Sequence, residues 1–112
     1  MMHKQGDIIL IPIPFTDLSS SKRRPVLVLS NNNYNSNTDD IVVAAITSNI
    51  LLKDYSIKIT TDDLIDGNLK VDSCIRADKI YTLSQNIVIK RFGKVNENVM
   101  EKVKSKISEL IK

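Results

Sequence analysis

Histidine and cysteine are nearly absent: His3 and Cys74 are the single examples in 112 residues. A lone cysteine forms no internal disulfide, and with no CxxC pair there is no thiolate clasp for a metal. One histidine, near the start of the chain where fraying is expected, argues against a histidine-based zinc site or a Ser-His-Asp triad. Any chemistry must then come from Asp, Glu, Arg, Lys, Ser, Thr or Tyr. Aromatic residues make up only 4%, and tryptophan is missing, so the core must rest on Ile, Leu and Val. No apolar run is long enough to span a bilayer. The opening MMHKQGD lacks the apolar stretch of a signal peptide, so a cytoplasmic location with no membrane partner is expected.

What is present fits one domain over 1–112. The net charge of +3 permits a nucleic-acid partner without requiring one. Most of the chain reads as β. Strands are predicted over Asp7–Ile13, Pro25–Ser30, Ile41–Thr47 and Tyr55–Thr60, with an extended segment over Val71–Ile80. Pro12 cannot donate to a ladder and predicts an edge or a bulge. Pro14–Arg24 and the asparagine-rich Asn31–Asp40 read as loops, and Asp66-Gly67-Asn68 as a turn. Ile87–Phe92 fits a last strand or a short helix equally. Asn96–Lys112 is the clearest helix: Val99, Val103, Ile107 and Ile111, with Met100 and Leu110, form one apolar face, and Asn96 suits the N-cap. Its lysines read as the solvated face. These elements suggest a mainly β fold, a small β-barrel with helical additions, with a two-layer α+β arrangement as the alternative.

Three places carry possible chemistry. Pro25 biases Arg24 toward an extended backbone, holding a guanidinium where a polar loop meets a rigid strand. Its planar fork suits two phosphoryl oxygens, although Arg23 and Arg24 also read as solubilising charges beside a strand. Thr47-Ser48-Asn49 follow an apolar run, as donors at a barrel mouth or as ordinary strand-end residues. In Ser73–Asp78 a period of two puts Cys74, Arg76 and Asp78 on one face and Ile75 and Ala77 on the other. Arg76 and Asp78 then stand roughly 7 Å apart along the strand, within side-chain reach. They suit phosphodiester chemistry or a surface ion pair of little energetic weight. Tyr34 and Tyr81 suit base stacking or packing. Asp39-Asp40 and Asp62-Asp63 lack the spaced acids and glycine of a calcium loop, so no metal is expected.

Together these segments resemble the MazF/PemK toxins. GDIILIPIPFTDLSSSKRRPVLVLS is similar to the family's opening of Gly-Asp, apolar strand, polar loop, Arg-Pro and second strand. IVVAAITS is similar to its third strand, and SCIRADKIYTLS to the later strand that carries Arg-x-Asp in PemK-type members. The likeness covers nearly the whole chain. It implies an SH3-like barrel with a C-terminal amphipathic helix, a homodimer, and metal-independent cleavage of single-stranded mRNA to 2′,3′-cyclic phosphate and 5′-hydroxyl ends, with no cofactor. It also implies a cognate antitoxin, with operator DNA bound only through the toxin–antitoxin complex. The residues matching the family's catalytic set are Arg24, Thr47, Arg76 and Asp78. Asp78 is the candidate base, which would need a raised pKa. Arg76 is the proposed acid, or else a pure charge stabiliser with water supplying the proton. Lys22, Arg23, Ser48, Asn49 and Lys79 are the expected RNA contacts. The family's loop before Arg-Pro often holds a Glu or His; here it has neither.

Two rivals share the fold. One is a non-catalytic toxin of the CcdB type that jams a protein such as gyrase, for which the Arg24, Thr47, Arg76 and Asp78 set has no use. The other is a degenerate relative that binds RNA or antitoxin without cutting, suggested by the loop. An SH3-type adaptor would need more exposed aromatics.

Overall fold

The computed structural model describes residues 3–12, 22–50 and 54–112. Seven antiparallel strands form one sheet: β1 (Asp7–Pro12), β2 (Arg23–Val28), β3 (Asp40–Thr47), β4 (Ser56–Ile59), β5 (Leu64–Gly67), β6 (Ser73–Ser84) and β7 (Lys90–Val95). Their order across the sheet is β4-β6-β3-β2-β1-β7-β5. Two helices join them, α1 (Asn32–Asn37) and α2 (Glu97–Leu110). The sheet curls into a half-barrel, so the fold is mainly antiparallel β with a C-terminal helix.

The three central strands are apolar on both faces because both faces are covered. On the first face Ile8, Leu27, Ala44, Ile46 and Ile75 pack with Val99, Met100 and Val103 of α2. On the second face Ile9, Ile11, Val26, Val28, Ile41 and Val43 form a separate cluster with Tyr81 and Leu83. This two-sided burial explains why the strands read as continuous apolar runs instead of alternating.

Asn96 caps α2 by accepting from the Val99 N–H at 2.9 Å. The apolar stripe of that helix does not stay buried to its end, since Ile111 is 75% exposed. Lys104 pairs with Glu101, and Lys106 with Glu109, along the solvated side.

Pro12 stands where the sequence placed it, at an edge: β1 lies between β2 and β7, but the β7 ladder ends at Leu10, so Pro12, the last residue of β1, pairs with Arg23 alone. Some expectations need correction. The asparagine-rich segment is not all loop but holds α1. Asn31 caps that helix, accepting from Tyr34 N–H at 2.8 Å. Buried Asn35 donates to the carbonyls of His3 and Ser30, each at 3.0 Å. These tertiary bonds, not helix propensity, hold six weak helix formers in one turn and a half. They also pin His3, whose N–H donates to Gln85 Oε1 at 3.1 Å, so this residue is anchored. Burial lowers the His3 pKa. The Asp66-Gly67-Asn68 turn begins as the end of β5, and Ile87–Phe92 divides between a 3-10 turn at Gln85–Ile87 and strand β7.

Candidate active site

The site grows from an irregularity in β6. Down the β3–β6 ladder, Val43 pairs with Tyr81 and Ala44 with Ile80, but Ala45 pairs with Arg76. Residues 77–79 bulge out of the ladder between Ile80 and Arg76. Bulges re-aim side chains, and this one carries Asp78. Ala77 is held at the bulge by its N–H bond to the Tyr55 carbonyl at 2.9 Å.

Arg76 and Asp78 meet as the alternation predicts. The guanidinium donates from Nε to Oδ1 at 3.0 Å and from Nη2 to Oδ2 at 2.9 Å, a two-point fork. Their side chains are 14% and 33% exposed. The fork from Arg76 lowers the Asp78 pKa, and the same bond raises that of Arg76. The carboxyl therefore moves away from the neutral range, opposite to the rise a general base would need. The guanidinium becomes a still poorer proton donor.

Register shows what surrounds this pair. One rung runs Ser56–Arg76–Ala45–Val26 across β4, β6, β3 and β2, and the next runs Lys58–Cys74–Thr47. Val26 belongs to the second-face cluster, so Arg76 and Thr47 share that face. Arg24 pairs with Ile11 of the same cluster and joins them. Pro25 has no N–H to give, and the β2–β3 ladder stops one residue past it at Val26–Ala45. Arg24 and Thr47 thus stand two residues beyond the last rung, on neighbouring strands.

Beside Arg24 opens a cleft of about 320 Å³, lined in part by Arg23, Arg24, Ser48, Lys70 and Ser73. Its apolar lining is Leu10, Ile46 and Phe92; Ile46 and Phe92 belong to the first-face cluster, so the cleft opens on the face opposite Thr47 and Arg76, and of the four candidate catalytic residues only Arg24 lines it. The Thr47 hydroxyl accepts from the Asn49 N–H at 3.1 Å. That bond uses one lone pair and leaves the hydroxyl proton to give. Asn49 is thus placed to hold Thr47. Lys22 and Arg23 are exposed at the entry to β2, and Lys79 is exposed on the bulge. Asp17 and most of the loop before Arg24 lie outside the described residues.

Ser56 escaped the sequence reading, and Tyr81, read there as suited to base stacking or packing, was not placed beside Arg76. Ser56 sits across from Arg76, and its hydroxyl is shut from solvent with no partner among the described residues. The alternation in YSIKIT assigns it a face, but nothing in the sequence pairs that face with Arg76. Counting by twos from Arg76 puts Tyr81 on the opposite face. The bulge removes three residues from the ladder, an odd number, and so brings it back beside Arg76.

This chain belongs to the family of PemK-like, MazF-like toxins of type II toxin–antitoxin systems, which it matches over residues 4–111. A MazE–MazF complex from Deinococcus radiodurans has the same fold, with TM-score 0.81 at 21% identity over 99% of this chain and 97% of that one. An endoribonuclease from a mycobacterial species in complex with its cognate antitoxin gives TM-score 0.79 at 20% identity, over 97% and 94% of the two chains. A second mycobacterial endoribonuclease gives 0.77 at 22%, over 99% and 92%. A comparison with curated proteins returns no match. Among the described residues no helix is long and apolar enough to cross a membrane.

Proposed function

We propose that this toxin is an endoribonuclease that cuts single-stranded mRNA through the ribose 2′-hydroxyl, leaving 2′,3′-cyclic phosphate and 5′-hydroxyl ends. The observation that carries the reading is the shared face: Arg24, Thr47 and the Arg76–Asp78 fork lie on the second face of the sheet, toward one end of β2, β3 and β6.

Each group has a task. As the 2′-oxygen attacks, charge builds on the phosphoryl oxygens, and fixed donors aimed there lower the barrier. Arg24 and Arg76 supply that charge, and Thr47 a neutral donor. Asp78 is the base. In the free protein it is ionised but weakly basic, because Arg76 holds it. An RNA phosphate that draws Arg76 toward itself loosens the fork and makes the carboxylate a better proton acceptor. Binding of the substrate thereby prepares the base. Arg76 serves as charge, since Asp78 makes its proton harder to lose. Arg23, Lys22, Ser48 and Lys79 bind the flanking RNA.

The cationic cleft that Arg23, Arg24 and Lys70 line suits an acidic antitoxin segment. The partner named with the Deinococcus and mycobacterial structures supports a cognate antitoxin here, with operator DNA engaged only through that complex. We propose a homodimer as the working form.

The test is cleavage of a long single-stranded RNA in EDTA with product ends mapped. Discrete cuts with cyclic phosphate ends are expected from the wild type, and none from Asp78→Ala. Folded protein that leaves varied RNAs intact would sink the proposal.

The pH profile follows from the fork. A carboxyl whose pKa is lowered by folding stays ionised to lower pH than in the unfolded chain. The stability it contributes is present above the ordinary carboxylate pKa of about 3.9, and is lost as pH falls through the lower folded value. For activity, kcat/KM reports the free enzyme and kcat the complex. The acid limb of kcat/KM should therefore lie below about pH 4, while that of kcat moves upward as RNA loosens the fork. Coincident limbs near neutrality would contradict this account.

A further inference from the structure

The cleavage needs an acid as well as a base. The departing 5′-oxygen leaves as an alkoxide unless it gains a proton, and the fork to Asp78 makes Arg76 the wrong donor. The second face of β6 holds a better one. With 77–79 bulged out, the side chains along that face run Cys74, Arg76, Tyr81, Leu83. Tyr81 and Arg76 therefore neighbour each other one pleat apart, opposite Val43 and Ala45. The Tyr81 ring is half-buried, packed on the cluster that contains Val43. Its phenol is close enough to act electrostatically on the Arg76 guanidinium. A phenol ionises near pH 10, a guanidinium above about 12, so the phenol is far the readier proton donor. The other proton-bearing groups nearby are worse placed. Cys74 is buried, Lys58 faces Asp72 from an exposed position, and Lys79 is exposed on the bulge.

We propose that Tyr81 is the general acid of RNA cleavage, its phenolic Oη–H protonating the 5′-oxygen as it leaves. The proposal rests on the ribonuclease reading. In the step the 2′-oxygen–phosphorus bond forms and the phosphorus–5′-oxygen bond breaks. The 2′-hydroxyl proton passes to the Asp78 carboxylate, and the Tyr81 proton passes to the 5′-oxygen. Asp78 then returns its proton, through water, to the tyrosinate, which restores both groups. Arg76, between them, stabilises the phosphorane and the transient phenolate.

The test is a leaving group that needs no acid. Two oligonucleotides of one cleaved sequence are compared, one ordinary and one with sulfur replacing the bridging 5′-oxygen at the scissile bond. Tyr81→Phe keeps the ring and its packing, which a melting curve verifies. It should slow cleavage of the ordinary RNA by about 10²–10³-fold, yet slow the 5′-thio RNA by less than about threefold, because a thiolate departs unprotonated. Wild-type rates with Tyr81→Phe on ordinary RNA would overturn the proposal and assign the proton to Lys79 or water. An equal loss on both substrates would overturn it too, reducing Tyr81 to a packing role. Wild-type protein that cuts neither substrate would defeat the ribonuclease reading, and this inference with it.

Discussion

Replacing Arg24 by alanine should slow RNA cleavage by about a thousandfold, roughly 4 kcal/mol of transition-state stabilisation, while the fold stays intact. The size follows from how Arg24 differs from Arg76. Arg76 is already half spent, because Asp78 takes two of its donors. Arg24 makes no ion pair among the described residues, so its whole charge is available to a phosphorane. Its backbone is also fixed, since Pro25 follows it and Ile11 faces it across the ladder. A preorganised charge needs no rearrangement at the moment of reaction, and mutation of such donors costs more than mutation of mobile ones. Unfolding should be nearly unaffected, because the side chain is exposed. Arg24→Lys should recover only part of the rate: the charge survives but the planar fork that spans two oxygens does not. Single-turnover cleavage of one oligonucleotide measures both. A loss below about tenfold for Arg24→Ala would move the main electrostatic task to Arg76.

The central strands were legible because their apolar runs are long and their burial is two-sided, a signal that needs no partner to read. Helix α2 was legible for the opposite reason: its period and its Asn96 cap are local. What stayed hidden depends on distant contacts. The weak helix formers at 32–37 became a helix because Asn35 reaches back to Ser30 and to His3, the latter a link across 32 residues that composition does not carry. The Arg76–Asp78 pair was readable because its partners are two positions apart on one strand. Its surroundings were not. A bulge at 77–79 exists only relative to β3, and the parity change that places Tyr81 beside Arg76 exists only with it. The direction of the Asp78 shift was likewise hidden. Alternation shows that an arginine is near, but not that it forks both carboxylate oxygens.

The second large effect is on stability, at the crossing of β5 and β7. Gly67→Ala should cost about 3 kcal/mol, a large part of the 5–15 kcal/mol that holds a typical domain. Gly67 has φ +81°, in the left-handed region that a Cβ disfavours by about 1–2 kcal/mol. The second contribution is steric. Gly67 pairs with Gly93, and a Cβ at position 67 would overlap the carbonyl oxygen of Phe92, backbone that cannot swing aside. The strands must part there. Asp66 then draws away from Arg91, whose guanidinium binds Asp66 at 2.9 Å and buried Asp7 at 3.1 Å. Asp7 would keep one donor, the Lys4 N–H at 2.9 Å, but would share a less constrained arginine. Gly93→Ala should be comparably harmful, since its Cβ would meet the Asp66 carbonyl oxygen from the other strand. Because the two clashes relieve at the same place, the double variant should cost clearly less than the sum of the single ones. Urea unfolding of the three variants decides it. Full additivity would mean that the strands do not separate as one unit, and a single-variant cost under about 1 kcal/mol would mean that β5 detaches freely without loss to the core.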